Sequence, residues 1–130
     1  MNEKTLFVRD FMTRNPICLS ADLDILRAVS ILLQHQISGA PVVDNNEKPV
    51  GMLTERDCIQ VAVHAGYFGD FGGQVSDYMR QPVETVSAND NLMDIAQKFI
   101  TSSFRRYPVV EQEILIGLIT RRDILQALEE

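Results

Sequence analysis

The sequence repeats itself, and this duplication limits the folds open to the chain more than any other feature. Shifted by 67 positions, Val8, Asp10 and Met12 fall on Val75, Asp77 and Met79. Ser20-Ala21 falls on Ser87-Ala88, and Pro41-Val42-Val43-Asp44 on Pro108-Val109-Val110-Glu111. After a one-residue adjustment in the next turn, Gly51-Met52-Leu53-Thr54-Glu55-Arg56-Asp57 falls on Gly117-Leu118-Ile119-Thr120-Arg121-Arg122-Asp123. An ordered series of matches at one offset is hard to obtain by chance. The period is longer than a solenoid repeat and occurs twice only. A copy of about 60 residues buries too little surface to be secure alone. The duplication therefore predicts one fused body with an approximate two-fold axis, held largely by the surface between its halves.

Composition fits a globular domain and narrows its partners. The 130 residues are 45% apolar and 23% charged, with a net charge of −6. A disordered chain carries fewer apolar residues and more net charge per residue. The acidic balance argues against a general nucleic-acid coat, which needs a basic face. A small anionic ligand needs only a local cluster of donors and stays open. The start of the chain has no apolar signal-peptide core. No window approaches the roughly 18 apolar residues of a membrane span. Cys18 and Cys58 stand far apart with no CxxC or CxxH spacing. They read as small core-type residues of a reducing cytoplasm.

Each half reads in the same order: strand, helix, strand, strand, helix. The expected fold class is α/β (α+β), with two pseudo-symmetric β-α-β-β-α repeats packed as one module. The boundaries are 6–66 for the first repeat, 67–74 for a linker loop and 75–130 for the second. A short segment (Val8 to Met12, Val75 to Met79) leads through Pro16 or Pro82 to an extended run at Ile17 to Leu19 or Val83 to Val86. Ser20 and Ser87 are natural N-caps. Leu23, Ile25, Leu26, Val29, Leu32 and Leu33 give one helix a broad apolar face, as Leu92, Ile95, Ala96, Phe99 and Ile100 do in its counterpart. Hairpins follow, with Pro41 and Pro108 expected at an edge or first-residue site. The join, Ala65 to Gly73, reads as a loop whose three aromatics pack down.

Gly-apolar-apolar-Thr-x-x-Asp occurs at both strand–helix junctions. Thr-x-x-Asp before an apolar-periodic helix is a capping box, with Thr54 and Thr120 accepting from helix amides and Asp57 and Asp123 favouring the positive helix end. Glycine weakens a strand unless another backbone or a ligand must approach closely. A strand glycine, a hydroxyl at the helix start and a carboxylate one turn on form a lip whose amides attract phosphate. The carboxylate there can accept both hydrogens of a vicinal diol. That combination points to a nucleoside or nucleotide, beside the purely capping role.

Ile37 to Asp44, Phe104 to Glu111 and the two Gly-x-x-Thr-x-x-Asp runs, in this doubled order, resemble a pair of CBS domains, also called a Bateman module. The resemblance spans about residues 6 to 128. It implies binding of adenosine derivatives (AMP, ADP, ATP or S-adenosylmethionine) in clefts between the repeats. It also implies a homodimer formed through the module helices. It places Asp57 and Asp123 on ribose hydroxyls, and Thr54 and Thr120 on ribose or phosphate. Ser38, Gly39, Ala40, Arg105, Arg106 and Tyr107 would read the adenine, largely through backbone groups, with Pro108 beside them in the ligand-binding set. Ile17-Cys18 and Val83-Glu84-Thr85 would line the opposite wall, with Ile17, Cys18, Val83 and Thr85 as the candidate contacts.

The copies differ in charge. Ser38, Gly39 and Glu55 of the first stand where the second has Arg105, Arg106 and Arg121, while Arg56 and Arg122 are shared. Four arginines around the second motif are either a solvated surface or a phosphate clamp, since Arg matches phosphate with paired donors. The clamp reading predicts tighter binding of phosphorylated adenosine at the second repeat.

Catalytic signatures are missing. There is no P-loop, His-Glu-x-x-His or Gly-x-Ser-x-Gly run. His35 and His64 lack ligand-type partners at helical spacing, and Met12, Met52, Met79 and Met93 read as core filler rather than a metal site. The expectation is a non-enzymatic regulatory sensor with no required cofactor and no metal. It acts on a separate effector protein unless the chain is part of a longer one, and it engages neither nucleic acid nor membrane. The alternative is a structural or dimerising module with no bound nucleotide.

Overall fold

The computed structural model describes residues 5–129. These residues form two compact units. One is Ile17–Val83; the other combines the residues up to Pro16 with those from Glu84 onward. Each copy of the repeat thus lends its leading segment to the unit built by the other copy. Val8 donates to the carbonyl of Asp90 (3.0 Å), and Val75 donates to that of Leu23 (2.9 Å). Arg9 and Ser76 repeat the pattern with Ala88 and Ala21. Val8 and Val75, equivalent in sequence, are both wholly buried, each in its own cluster.

The Ile17–Val83 unit holds a three-stranded sheet. Strand β2 (Leu19–Ser20) lies parallel to β3 (Gly39–Val43), which lies antiparallel to β4 (Pro49–Thr54). Helix α1 (Ile25–Gln34), α2 (Glu55–Phe68) and the short α3 (Val75–Tyr78) complete it. Leu19, Ile25, Leu32, Val42, Leu53 and Val61 are among its buried cluster. The second unit has a four-stranded sheet, order β1 (Thr13–Arg14), β7 (Ile114–Thr120), β6 (Arg106–Glu111), β5 (Val86–Ser87). A 3-10 turn at Val8–Asp10 precedes it, and α4 (Leu92–Thr101) and α5 (Arg121–Ala127) flank it. Leu92, Ile95, Phe99, Tyr107, Val109 and Ile119 are among its buried residues. The mixed α/β architecture agrees with the order read from the sequence. Among the described residues no helix is long and apolar enough to cross a membrane.

Several local expectations need correction. Ser20 and Ser87 do not cap helices. Each opens a turn, closed by Leu23 N–H to Ser20 O and Asp90 N–H to Ser87 O. The helices begin after it, capped by Asp24, which accepts from Arg27 N, and Asn91, which accepts from Met93 N. A hydroxyl or carboxamide caps only where the chain turns into helix, and sequence spacing alone places that point one turn early.

Pro41 and Pro108 lie in central strands rather than at edges. The missing N–H costs nothing at Pro41. Its cross-strand partner, Met52, turns both backbone groups away, to Arg80 N (2.9 Å) and Arg80 O (3.1 Å). The pair is a non-hydrogen-bonded one in the ladder. The join from Ala65 to Gly73 is half helix, because α2 runs to Phe68 and ends on left-handed Gly69. Its aromatics do not pack down: Tyr67, Phe68 and Phe71 are all exposed. Cys18 and Met93 are exposed as well, so neither is core filler.

Candidate functional site

The strand glycines have a structural cause. A Cβ on Gly51 would meet Met79 Sδ at 2.5 Å and Arg80 O at 2.9 Å; one on Gly117 would meet Met12 Sδ at 2.5 Å and Thr13 O at 3.0 Å. A crossing backbone and its methionine require the missing side chain. This takes away the ligand-approach argument for these two positions.

At each junction the strand runs straight into a helix, and the cap is reciprocal. Thr54 N and Thr54 Oγ1 both donate to Asp57 Oδ2 at 2.9 Å, while Asp57 N donates back to Thr54 Oγ1 at 3.3 Å. Thr120 and Asp123 repeat this at 2.8, 3.0 and 3.2 Å. The first helical amides are also taken: Glu55 N donates to Ser38 O, and Arg121 N to Arg105 O. Most of the helix-start donors are therefore spent inside the fold, which weakens the idea that bare helix amides hold a phosphate. The carboxylates are spent only by half. Capping uses Oδ2 of each aspartate and leaves Oδ1 over.

The two leftover oxygens differ. Asp57 Oδ1 has Arg80 Nε at 3.6 Å, and Asp57 is a buried charged residue, 6% exposed. Among the described residues no donor lies within hydrogen-bonding or ion-pairing distance of Asp123 Oδ1, and Asp123 is partly exposed. Arg80 was not singled out from the sequence, although the 67-residue offset pairs it with Thr13, a non-equivalent residue, and marks it as a difference between the copies.

The other candidates fall into two groups. Ile17, Cys18, Ser38, Gly39, Ala40, Thr54, Arg56, Asp57 and Val83 belong to the Ile17–Val83 unit. Thr85, Arg105, Arg106, Tyr107, Pro108, Thr120, Arg121, Arg122 and Asp123 belong to the other. Ala40, Tyr107 and Pro108 are buried, so they can offer only backbone groups outward. Tyr107 is anchored inside by its hydroxyl to Ser102 Oγ (2.9 Å) and by a tilted ring contact with Phe99 and an edge-on one with Phe104. Arg56, Arg105, Arg121 and Arg122 are exposed. Among the described residues none of them has a carboxylate partner, and Arg121 Nε is steadied by Phe104 O at 3.2 Å. These guanidinium groups are thus unneutralised. Partial desolvation by neighbouring groups, and then the nearby Glu47 charge, raise the Cys18 thiol above its ordinary value; partial burial, Asp57 and Glu55 do the same for Cys58. Neither is a ready thiolate. No cluster of three or more metal-type side chains occurs among the described residues.

The family model described as the CBS domain matches twice, at residues 8–64 and 75–130. The protein MJ1225 of Methanocaldococcus jannaschii is 31% identical over 121 residues, 93% of this chain and 42% of that one. The zinc metalloprotease MJ0392 of the same organism is 34% identical over 125 residues, 96% of this chain and 33% of that one. The chain therefore spans less than half the length of either relative. Among solved structures, that of CBSX2 in complex with AMP superposes with a TM-score of 0.84 at 28% identity, covering 95% of this chain and 96% of that one. With both repeats matched and the fold shared, this chain belongs to the CBS domain family and carries two CBS domains in tandem.

Proposed function

We propose that the chain is a regulatory module that binds adenosine derivatives at its two Thr-x-x-Asp junctions. The observation that carries the reading is the leftover carboxylate oxygen. Asp123 fixes its helix with Oδ2 and keeps Oδ1 for an outside donor pair. A vicinal diol is the small group that suits a single fixed carboxylate beside a hydroxyl. The AMP complex of a relative supports adenine as the base. Exposed Arg105, Arg121 and Arg122 suit a phosphorylated form at the second repeat. AMP, ADP, ATP and S-adenosylmethionine all share the ribose.

The module regulates rather than catalyses. Ligand shifts whichever arrangement it binds better, and the response passes to a separate effector protein. The helices support a homodimer. Leu26 and Leu33 on α1 are exposed, as are the matching Met93 and Ile100 on α4. Ile59 and Val63 on α2, and Leu125 and Leu128 at α5, add further apolar surface. A cytoplasmic setting accords with two free cysteines.

Thermal-shift and calorimetric titrations with AMP, ATP and S-adenosylmethionine test the reading. Binding of at least one is expected, with no hydrolysis of ATP on incubation. Silence with all three leaves a dimerising scaffold, the reading that the apolar helix stripes alone would favour.

A further inference from the structure

The first repeat carries a side chain that its counterpart lacks. Arg80 is held by its backbone, donating to Met52 O (2.9 Å) and accepting from Met52 N (3.1 Å). From that fixed root its guanidinium reaches Asp57, with Nε 3.6 Å from Oδ1. Thr13 occupies the matching place in the other unit, opposite Leu118 as Arg80 is opposite Met52. No donor there lies against Asp123 Oδ1 among the described residues.

We infer that Arg80 is an internal gate on the first-repeat site, a specificity-determining residue that disfavours ribose ligands there. This rests on the diol-binding role given to Asp57 above. The oxygen that a diol would take is covered and neutralised by the guanidinium, so ligand enters only when the ion pair opens. The Arg80 side chain is 54% exposed. The Asp57 side chain is only 8% exposed, but the guanidinium end stands in water and at 3.6 Å makes no close hydrogen bond, so the pair can open. It biases the site rather than sealing it, and leaves the Asp123 site the more receptive of the two.

The test uses adenosine, which has the diol and no phosphate to engage the freed arginine. An Asp123→Ala background weakens the second site so that the first can be read, and Arg80→Thr is added there. Arg80→Thr keeps the backbone bonds and installs the residue of the other repeat. Calorimetry is expected to show affinity rising about two- to fivefold, the equivalent of one ion pair whose cation stands in water. The reciprocal Thr13→Arg, in an Asp57→Ala background, is expected to lower affinity by a similar factor. Thr13 is exposed, so this variant stands if the first misfolds. Unchanged or weaker binding on Arg80→Thr overturns the gate while leaving the nucleotide reading intact. If the Asp123→Ala protein shows no binding until Arg80→Thr is added, the gate is upheld in a stronger form. If neither the unmodified protein nor any variant takes up adenosine, both ideas fall together.

Discussion

Substituting Gly51 with alanine puts the strand-crossing geometry to a quantitative test. The added Cβ would sit 2.5 Å from Met79 Sδ and 2.9 Å from Arg80 O. The methionine end can swing aside. The carbonyl cannot, because it accepts from Met52 N and its own residue donates to Met52 O. Relief to an ordinary contact needs a shift of roughly half an ångström in a doubly bonded segment. Overpacking of this kind costs about 1–3 kcal/mol. The lower entropy of unfolded alanine returns about 0.4–1 kcal/mol. The expected net loss is about 1–2 kcal/mol. Gly66 is the internal control: it lies inside α2, and a Cβ added there would meet nothing within 4 Å. There alanine should stabilise by about 0.5–1 kcal/mol, the helix cost of glycine. Urea unfolding followed by circular dichroism measures both. The reasoning is refuted if Gly51→Ala matches the parent protein, or if Gly66→Ala is the more damaging change.

Four other outcomes follow from the same structure. Thr54→Ala and Thr120→Ala each remove a reciprocal cap and should cost about 1 kcal/mol in urea unfolding, against near zero at an exposed helix position such as Gln60. Replacing Arg105 or Arg122 should weaken ATP more than adenosine in calorimetry, and equal losses would speak against the phosphate clamp. Glutamate at Leu33 or Ile100, both strongly exposed, should shift a dimer towards monomer in light scattering while the melting temperature of the monomer barely moves. The Cys58 thiol is raised in the folded state, so its stabilisation is complete below the unfolded thiol's value and fades as pH climbs through the folded one. Alkylation of Cys58 at about pH 8, near the ordinary thiol value, should accordingly run slower than that of a free thiol, and denaturant should abolish the difference.

The legible parts of this fold were those set by local chemistry. Thr54 and Thr120 sit where their own aspartates reach them three residues on, so both caps could be read without tertiary knowledge. The doubled β-α-β-β-α order was legible for a related reason, since duplicated patterns corroborate each other. Ser20 and Ser87 misled because a turn intervenes, and whether a chain turns once more before its helix depends on packing. Apolar periodicity located the helix faces at Leu33 and Ile100 but could not say that the described chain leaves them uncovered. The exchange of leading segments was invisible, because Val8 and Val75 present the same residue to either copy. Arg80 was missed for a different reason. Its role depends on a carboxylate 23 positions earlier, in another element, with no motif joining the two.

The central claim is that a carboxylate oxygen left over from helix capping takes a ribose diol. Calorimetric titration of AMP into the protein and its Asp123→Ala variant tests it most directly. Loss of charge-assisted hydrogen bonds worth about 1.5–3 kcal/mol predicts affinity falling roughly ten- to hundredfold at one of the binding steps. AMP binding of undiminished strength in the variant, with its fold intact by circular dichroism, would contradict the account.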